Sequence, residues 1–339
     1  MATPVAVIGA GSFGTCLAML CARENDVTIW ARDPEVAESI NAERRNPRYL
    51  TDLAVPPGVR ATTDLAEALS GRELVICAVP SHGLRDVMRR AGDELEEGAI
   101  VVSTVKGIEA DTGLTMHGVL EGVLPERHHP RIVCLSGPSF AREIARRKAT
   151  VVTVACREET YAISVQATLS CPWFRCYTND DVVGVELGGA LKNVIAIATG
   201  IADGMDGGNN ARAAIMTRGL AEITRLGIQM GANPTTFLGL SGMGDLILTC
   251  TGDLSRNRRV GIELGRGRKL PEILADMGEV AEGVRTTRAV CQLAERLGIE
   301  LPVAQTVGAV LDGEVTPLDA GLRLMTRQLG SELDDYRGP

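Results

Sequence analysis

Val5-Ala6-Val7-Ile8-Gly9-Ala10-Gly11-Ser12-Phe13-Gly14 decides how the rest of the chain is read. The first four residues form an apolar run of the kind that makes a strand buried on both faces. Thr15 to Arg23, rich in Ala, Leu and Met, reads as a helix. Strand, glycine turn and helix in that order are the context a dinucleotide-binding fingerprint requires. Gly9 permits the tight turn, Gly11 lets the backbone approach a pyrophosphate, and Gly14 lets helix and strand pack closely. The helix start offers free N–H groups and a positive dipole end to the anion.

Working outward, Val27 to Trp30 is a second strand, ending in Ala31-Arg32-Asp33. An acid here would bind the adenine ribose of NAD, and an arginine the extra phosphate of NADP. Asp33 before Pro34 also suits a helix N-cap, which leaves Arg32 for the phosphate. NADPH/NADP is therefore favoured, with NADH/NAD as the alternative. Further strand-like runs lie at 74–79, 99–105, 131–135, 150–155 and 174–177, with helical stretches at 64–69 and 84–91. That alternation predicts an α/β fold with a doubly wound parallel sheet. Beyond Asp180 the pattern turns helical, over 183–201, 211–226, 270–277, 286–297, 302–311 and 317–324. The expected architecture is an N-terminal Rossmann domain over 1–180, then an all-helical C-terminal domain over 181–339.

Loops 78–82, 103–107 and 136–141 each follow a strand, and ligands of open α/β sheets bind beyond the carboxyl ends of strands. His82, beside Pro80, reads as a turn-stabilising residue, and His117, His128 and His129 lack metal-like partners, so no metal site is expected. A net charge of −8 argues against nucleic-acid or membrane-surface partners. No apolar run is read as reaching transmembrane length, and the first strand begins at residue 5, with no room for a signal peptide. Nine cysteines without a CxxC pattern suit a reducing, cytoplasmic setting.

Only four of the 35 cationic Lys and Arg side chains are lysines: Lys106, Lys148, Lys192 and Lys269. An ammonium can donate a proton and shift its pKa where a guanidinium cannot, so these positions stand out. Lys148 and Lys269 sit among arginines and read as ordinary surface cations. Lys192, in Gly189-Ala190-Leu191-Lys192-Asn193, lies in a largely apolar helix where desolvation should lower its pKa. Ser255-Arg256-Asn257-Arg258-Arg259 crowds a hydroxyl, an amide and three guanidiniums together, either as a phosphate clamp or as a solvated basic turn.

In order along the chain, GAGSFGTCLA, AVPSH, VSTVKGIE, LSGPSFA, ELGGALKN, GLSGMGDL, TCTGDLSRNRRVG and VAEGV resemble the motifs of bacterial-type NAD(P)-dependent glycerol-3-phosphate dehydrogenases. The resemblance covers nearly the whole chain. It implies reduction of dihydroxyacetone phosphate to sn-glycerol 3-phosphate, a phospholipid precursor, with Lys192 as the catalytic proton donor. Lys106 would orient the carbonyl and touch the cofactor. Gly137, Ser139, Asp245, Ser255, Arg256 and Asn257 would bind substrate beside the two lysines. Ser12, Phe13, Arg32, Ala141, Arg256, Val280 and Glu282 would join Gly9, Gly11 and Gly14 around the cofactor. Serine at 139, where the family also uses threonine, keeps the hydroxyl. The small-molecule substrate is the expected partner, and a homodimer the expected assembly.

Two rivals differ in testable ways. A related two-domain reductase for a hydroxy acid, sugar phosphate or ketopantoate-like substrate would keep the cradle and the lysine helix, but has no need of Ser-Arg-Asn-Arg after Gly-Met-Gly-Asp-Leu. A non-enzymatic NADPH sensor would have no use for two ammoniums.

Overall fold

The computed structural model describes residues 3–277 and 281–332. Val280, expected near the cofactor, lies outside the described residues. The chain divides into two compact units, Met1–Val105 with Met116–Val182, and Lys106–Thr115 with Val183–Pro339. Lys106 thus belongs to the second unit, although it follows a strand of the first.

In the first unit, β1 (Val5–Ile8), β2 (Val27–Trp30), β3 (Val59–Thr62), β4 (Leu74–Cys77), β5 (Ile100–Ser103), β6 (Ile132–Ser136), β7 (Thr150–Ala155) and β8 (Phe174–Asn179) form one sheet. Its order is β3-β2-β1-β4-β5-β6-β7-β8, so the winding reverses between β1 and β4. That switch point lies where the glycine turn leaves β1, the place where such sheets bind ligands. Helices α1 (Ser12–Cys21), α2 (Pro34–Glu43), α3 (Leu65–Leu69), α4 (Leu84–Ala91), α5 (Met116–Glu121), α6 (Ala141–Ala145) and α7 (Glu159–Leu169) connect the strands. Val5 and Val7 join one hydrophobic cluster and Ala6 and Ile8 another. A strand with alternate side chains in two cores must be apolar throughout, which is why β1 shows no polar residue.

The sheet departs from the all-parallel expectation at one place: β7 runs antiparallel to β6. The connection between them holds only the five-residue α6. Such a helix spans roughly 7.5 Å, too short to carry the chain back along a strand of about 17 Å. The chain therefore re-enters the sheet from the end it left.

The second unit contains α8 (Val182–Gly204), α9 (Gly208–Gln229), α10 (Asp245–Thr251), α11 (Arg256–Gly265), α12 (Leu270–Met277), α13 (Glu282–Leu297), α14 (Pro302–Leu311) and α15 (Pro317–Met325). A π-type turn over Leu240–Gly244 leads into α10. Helix α8 corrects one expectation, being long and apolar enough to cross a membrane by length and composition. Its apolar stretch is 94% buried inside the fold, and Leu187, Leu191, Val194, Ile195 and Ile197 all pack in the core of this unit. It is a core helix.

Candidate active site

The glycine turn of the first unit is shaped by close backbone approach. Gly9 has φ +114°, and a Cβ there would sit 2.8 Å from the carbonyl oxygen of Ala78. A Cβ on Gly14 would overlap the carbonyl oxygen of Gly9. Gly11 is the opposite case, with no heavy atom within 4 Å of where its Cβ would be. Helix α1 begins at Ser12 without a side-chain cap, so no side chain of the cap residue occupies its first N–H groups. A tight turn, an open face and an uncapped helix start fit a dinucleotide pyrophosphate. Asn46, not singled out from the sequence, braces the turn: its buried amide donates to the Ala10 carbonyl and to Thr15 Oγ1, both at 2.9 Å. Its signal is spatial, because 36 residues separate it from Ala10.

Asp33 caps α2 by accepting from the Glu35 N–H at 3.0 Å, and it pairs with Arg48. Its carboxylate is committed to the protein. Arg32 is exposed and makes no ion pair among the described residues. In the loop after β6, Gly137 has φ +131° and its carbonyl accepts from Ser139 Oγ at 2.8 Å. Ala141 opens α6, which also lacks a side-chain cap.

The second unit gathers its charged groups around Asp245, whose side chain is 1% exposed at the start of α10. Lys192 Nζ donates to Asp245 Oδ1 at 2.5 Å and to Thr249 Oγ1 at 2.9 Å. Lys106 Nζ donates to Asp245 Oδ2 at 2.6 Å. One buried carboxylate thus holds two ammoniums, each by a different oxygen. Thr249 Oγ1 donates a hydrogen bond to the Asp245 backbone carbonyl at 2.6 Å, which leaves its lone pairs for Lys192. Sequence reading missed Thr249, although its i,i+4 spacing from Asp245 on one helix was the available clue. Burial pushes the Lys192 ammonium down to about 8, and Lys106 adds to that fall while Asp245 opposes it.

Ser255 is the N-cap of α11, buried, with Oγ accepting from the Arg258 N–H at 3.2 Å. Arg256 stands exposed on the first turn of that helix. Asn257 is buried and acts as a strut: Nδ2 donates to Asn193 Oδ1, and Oδ1 accepts from the Gly283 N–H, both at 2.9 Å. Asn193 neighbours Lys192 on α8, and Glu282 begins α13 next to Gly283. Lys106, Lys192 and Asp245 are therefore in one cluster, and Asn257 ties the first turn of α11 to the same stretch of α8. Among the described residues, no group of three His, Cys, Asp or Glu could hold a metal ion.

Residues 4–162 match the family model for the N-terminus of NAD-dependent glycerol-3-phosphate dehydrogenase, and residues 181–321 match the model for its C-terminus. A glycerol-3-phosphate dehydrogenase [NAD(P)+] of Myxococcus xanthus is 55% identical over 328 residues, 96% of this chain and 98% of the relative. That of Syntrophotalea carbinolica is 51% identical over 97% of this chain and 99% of its own length. A crystal structure of a glycerol-3-phosphate dehydrogenase from Coxiella burnetii superposes with a TM-score of 0.91 at 36% identity, covering 96% of this chain and 99% of that one.

Proposed function

The chain belongs to the NAD-dependent glycerol-3-phosphate dehydrogenase family, and from that premise we propose that it interconverts dihydroxyacetone phosphate and sn-glycerol 3-phosphate with a nicotinamide dinucleotide. The observation that carries this reading is the pair of ammoniums on Asp245. When bound, the dinucleotide supplies the hydride for the ketone carbon; this chain's residues handle the proton and the phosphate.

Lys192 spends two of its N–H groups on Asp245 and Thr249, and the third donates its proton to the substrate oxygen as negative charge develops there. Lys106 adds a second positive charge near the same oxygen. Asp245, a pure acceptor when ionised, serves by fixing both ammoniums and does not itself hold an anion. The phosphate dianion goes to the start of α11. There the helix dipole and Arg256, which can grip two oxygens at once, both favour negative charge. Gly137 and Ser139 supply further substrate contacts, and the Gly9–Gly14 turn with Arg32 takes the dinucleotide phosphates.

The test is to follow NADPH consumption with dihydroxyacetone phosphate. No turnover above background with either nicotinamide overturns the reading. Within an active enzyme, Arg256→Lys keeps the charge but loses the planar fork. It should lower activity on the phosphorylated ketone while hardly changing the small rate on free dihydroxyacetone. Equal losses on both would favour the related-reductase alternative.

A further inference from the structure

Given the dehydrogenase reading above, we infer that Gly200, Gly204, Gly261 and Gly265 are positioning residues that set the distance between the proton donor on α8 and the phosphate-binding start of α11. Gly200 and Gly261 lie inside helices, where glycine is the poorest helix former after proline, and Gly204 and Gly265 close the same two helices, so local propensity gives no reason for the inner pair. They meet in pairs. A Cβ on Gly200 would sit 2.9 Å from Gly261 Cα, and one on Gly204 would sit 3.0 Å from Gly265 Cα. Cβ atoms on Gly261 and Gly265 would overlap the carbonyl oxygens of Ile197 and Ile201. The two helices therefore touch backbone to backbone over a full turn, an approach that only glycine permits.

Two polar contacts join the same helices near this seam. Asn193 and Asn257 join at its upper end, next to Lys192 and Arg256. Asp203, one residue before Gly204, takes the Arg258 guanidinium at 2.8 Å and Arg212 at 2.6 Å. Lys192 lies two turns before the first glycine on α8, and Arg256 begins α11, so any outward shift of α11 moves the phosphate contact away from the ammonium. A displacement of about 1 Å is enough to lose roughly a hundredfold in rate.

The test uses Gly265→Ala, at the end of α11 far from Arg256, and Asp203→Asn, which loosens the contact with Arg258 without added volume. Each variant is assayed on dihydroxyacetone phosphate and on free dihydroxyacetone. NADPH affinity, the pH limb of turnover and cooperative unfolding are measured alongside. Gly265→Ala should lower kcat/KM on the phosphorylated ketone roughly ten- to a hundredfold, and Asp203→Asn should lower it less. At saturating NADPH, the slow rate on the free ketone and the pH limb should stay as in the parent. If Gly265→Ala does not fold, Asp203→Asn decides alone. A folded variant that keeps the parental preference for the phosphorylated ketone, or loses both rates together, overturns the inference. A parent enzyme with no such preference would instead overturn the dehydrogenase reading on which it rests.

Discussion

Lys192 keeps its charge where little water reaches it, so it releases a proton far more easily than a surface lysine. Its titration near about 8, lowered from the ordinary 10.5, sets a sign for each direction of the reaction. Reduction needs the ammonium, so its rate should hold at neutral pH and fall as pH passes about 8; oxidation needs the free amine and should rise over the same range. Lys192→Ala should cost roughly a hundredfold or more in turnover, with NADPH binding little altered. Lys192→Arg should fail nearly as badly, because a guanidinium does not give up its proton in proteins. Near-normal turnover in the arginine variant, measured across pH, would show that charge alone suffices. The importance of Lys192 was legible because its flanks, Gly188 to Leu191 and Val194 to Ala198, offer no polar face to snorkel toward. Its partners were not, since Asp245 lies 53 residues away and Thr249 lies 57 away. A carboxylate's choice of partner over such separations is made by the fold.

Among the elements, those with strong periodicity were readable and those built by contacts were not. Helices α4, α12 and α14 match their expected bounds residue for residue, whereas β3 and α11 went unread. Strand β3 has four residues, with Arg60 exposed between buried neighbours, too short a pattern to stand out. Helix α11 opens with three cationic side chains and contains Gly261 and Gly265, which sequence rules read as breakers. Helix α14 raises a further point, because its N-cap, Leu301, has no oxygen to offer. Glu222 of α9 substitutes, taking the Val303 N–H at 2.6 Å and the Ala304 N–H at 3.1 Å. Burial nonetheless pushes its carboxyl up to about 7, against the pull of those two donors. The folded chain then holds a proton that the unfolded chain releases near 4.5, so this group's contribution is full below about 4.5 and shrinks as pH rises to about 7. Glu222→Ala should cost about 1–3 kcal/mol from the two bereft N–H groups, and the deficit should be larger at the acid end of that window. Urea unfolding at both ends checks it. A deficit that does not change with pH would mean the carboxyl stays ionised throughout.

The molecule as a whole carries a net charge of −8, yet both of its proposed ligands are anions. Long-range attraction cannot recruit them, so recognition falls to a few local cations. The scarcity of lysine made two of those cations visible in the sequence: Lys106 and Lys192 converge on one carboxylate. Scarcity could not single out any one of the many arginines. Several are tied into the fold, as Arg258 is with Asp203 and Arg72 with Asp26. Arg32 differs, being exposed at the end of β2 with no ion pair among the described residues. The neighbouring acid that could have bound a ribose is engaged twice over, with the Glu35 N–H and with Arg48. The cofactor choice of the whole enzyme should therefore turn on this side chain. Arg32→Ala should raise KM for NADPH and leave that for NADH nearly unchanged, since only NADPH carries the extra phosphate. The lost charge-assisted hydrogen bonds are worth about 1.5–3 kcal/mol, or roughly ten- to a hundredfold in affinity. Steady-state kinetics with both dinucleotides decides the matter. Equal losses with the two would assign Arg32 to the fold, and a loss confined to NADH would return ribose recognition to Asp33 despite its cap.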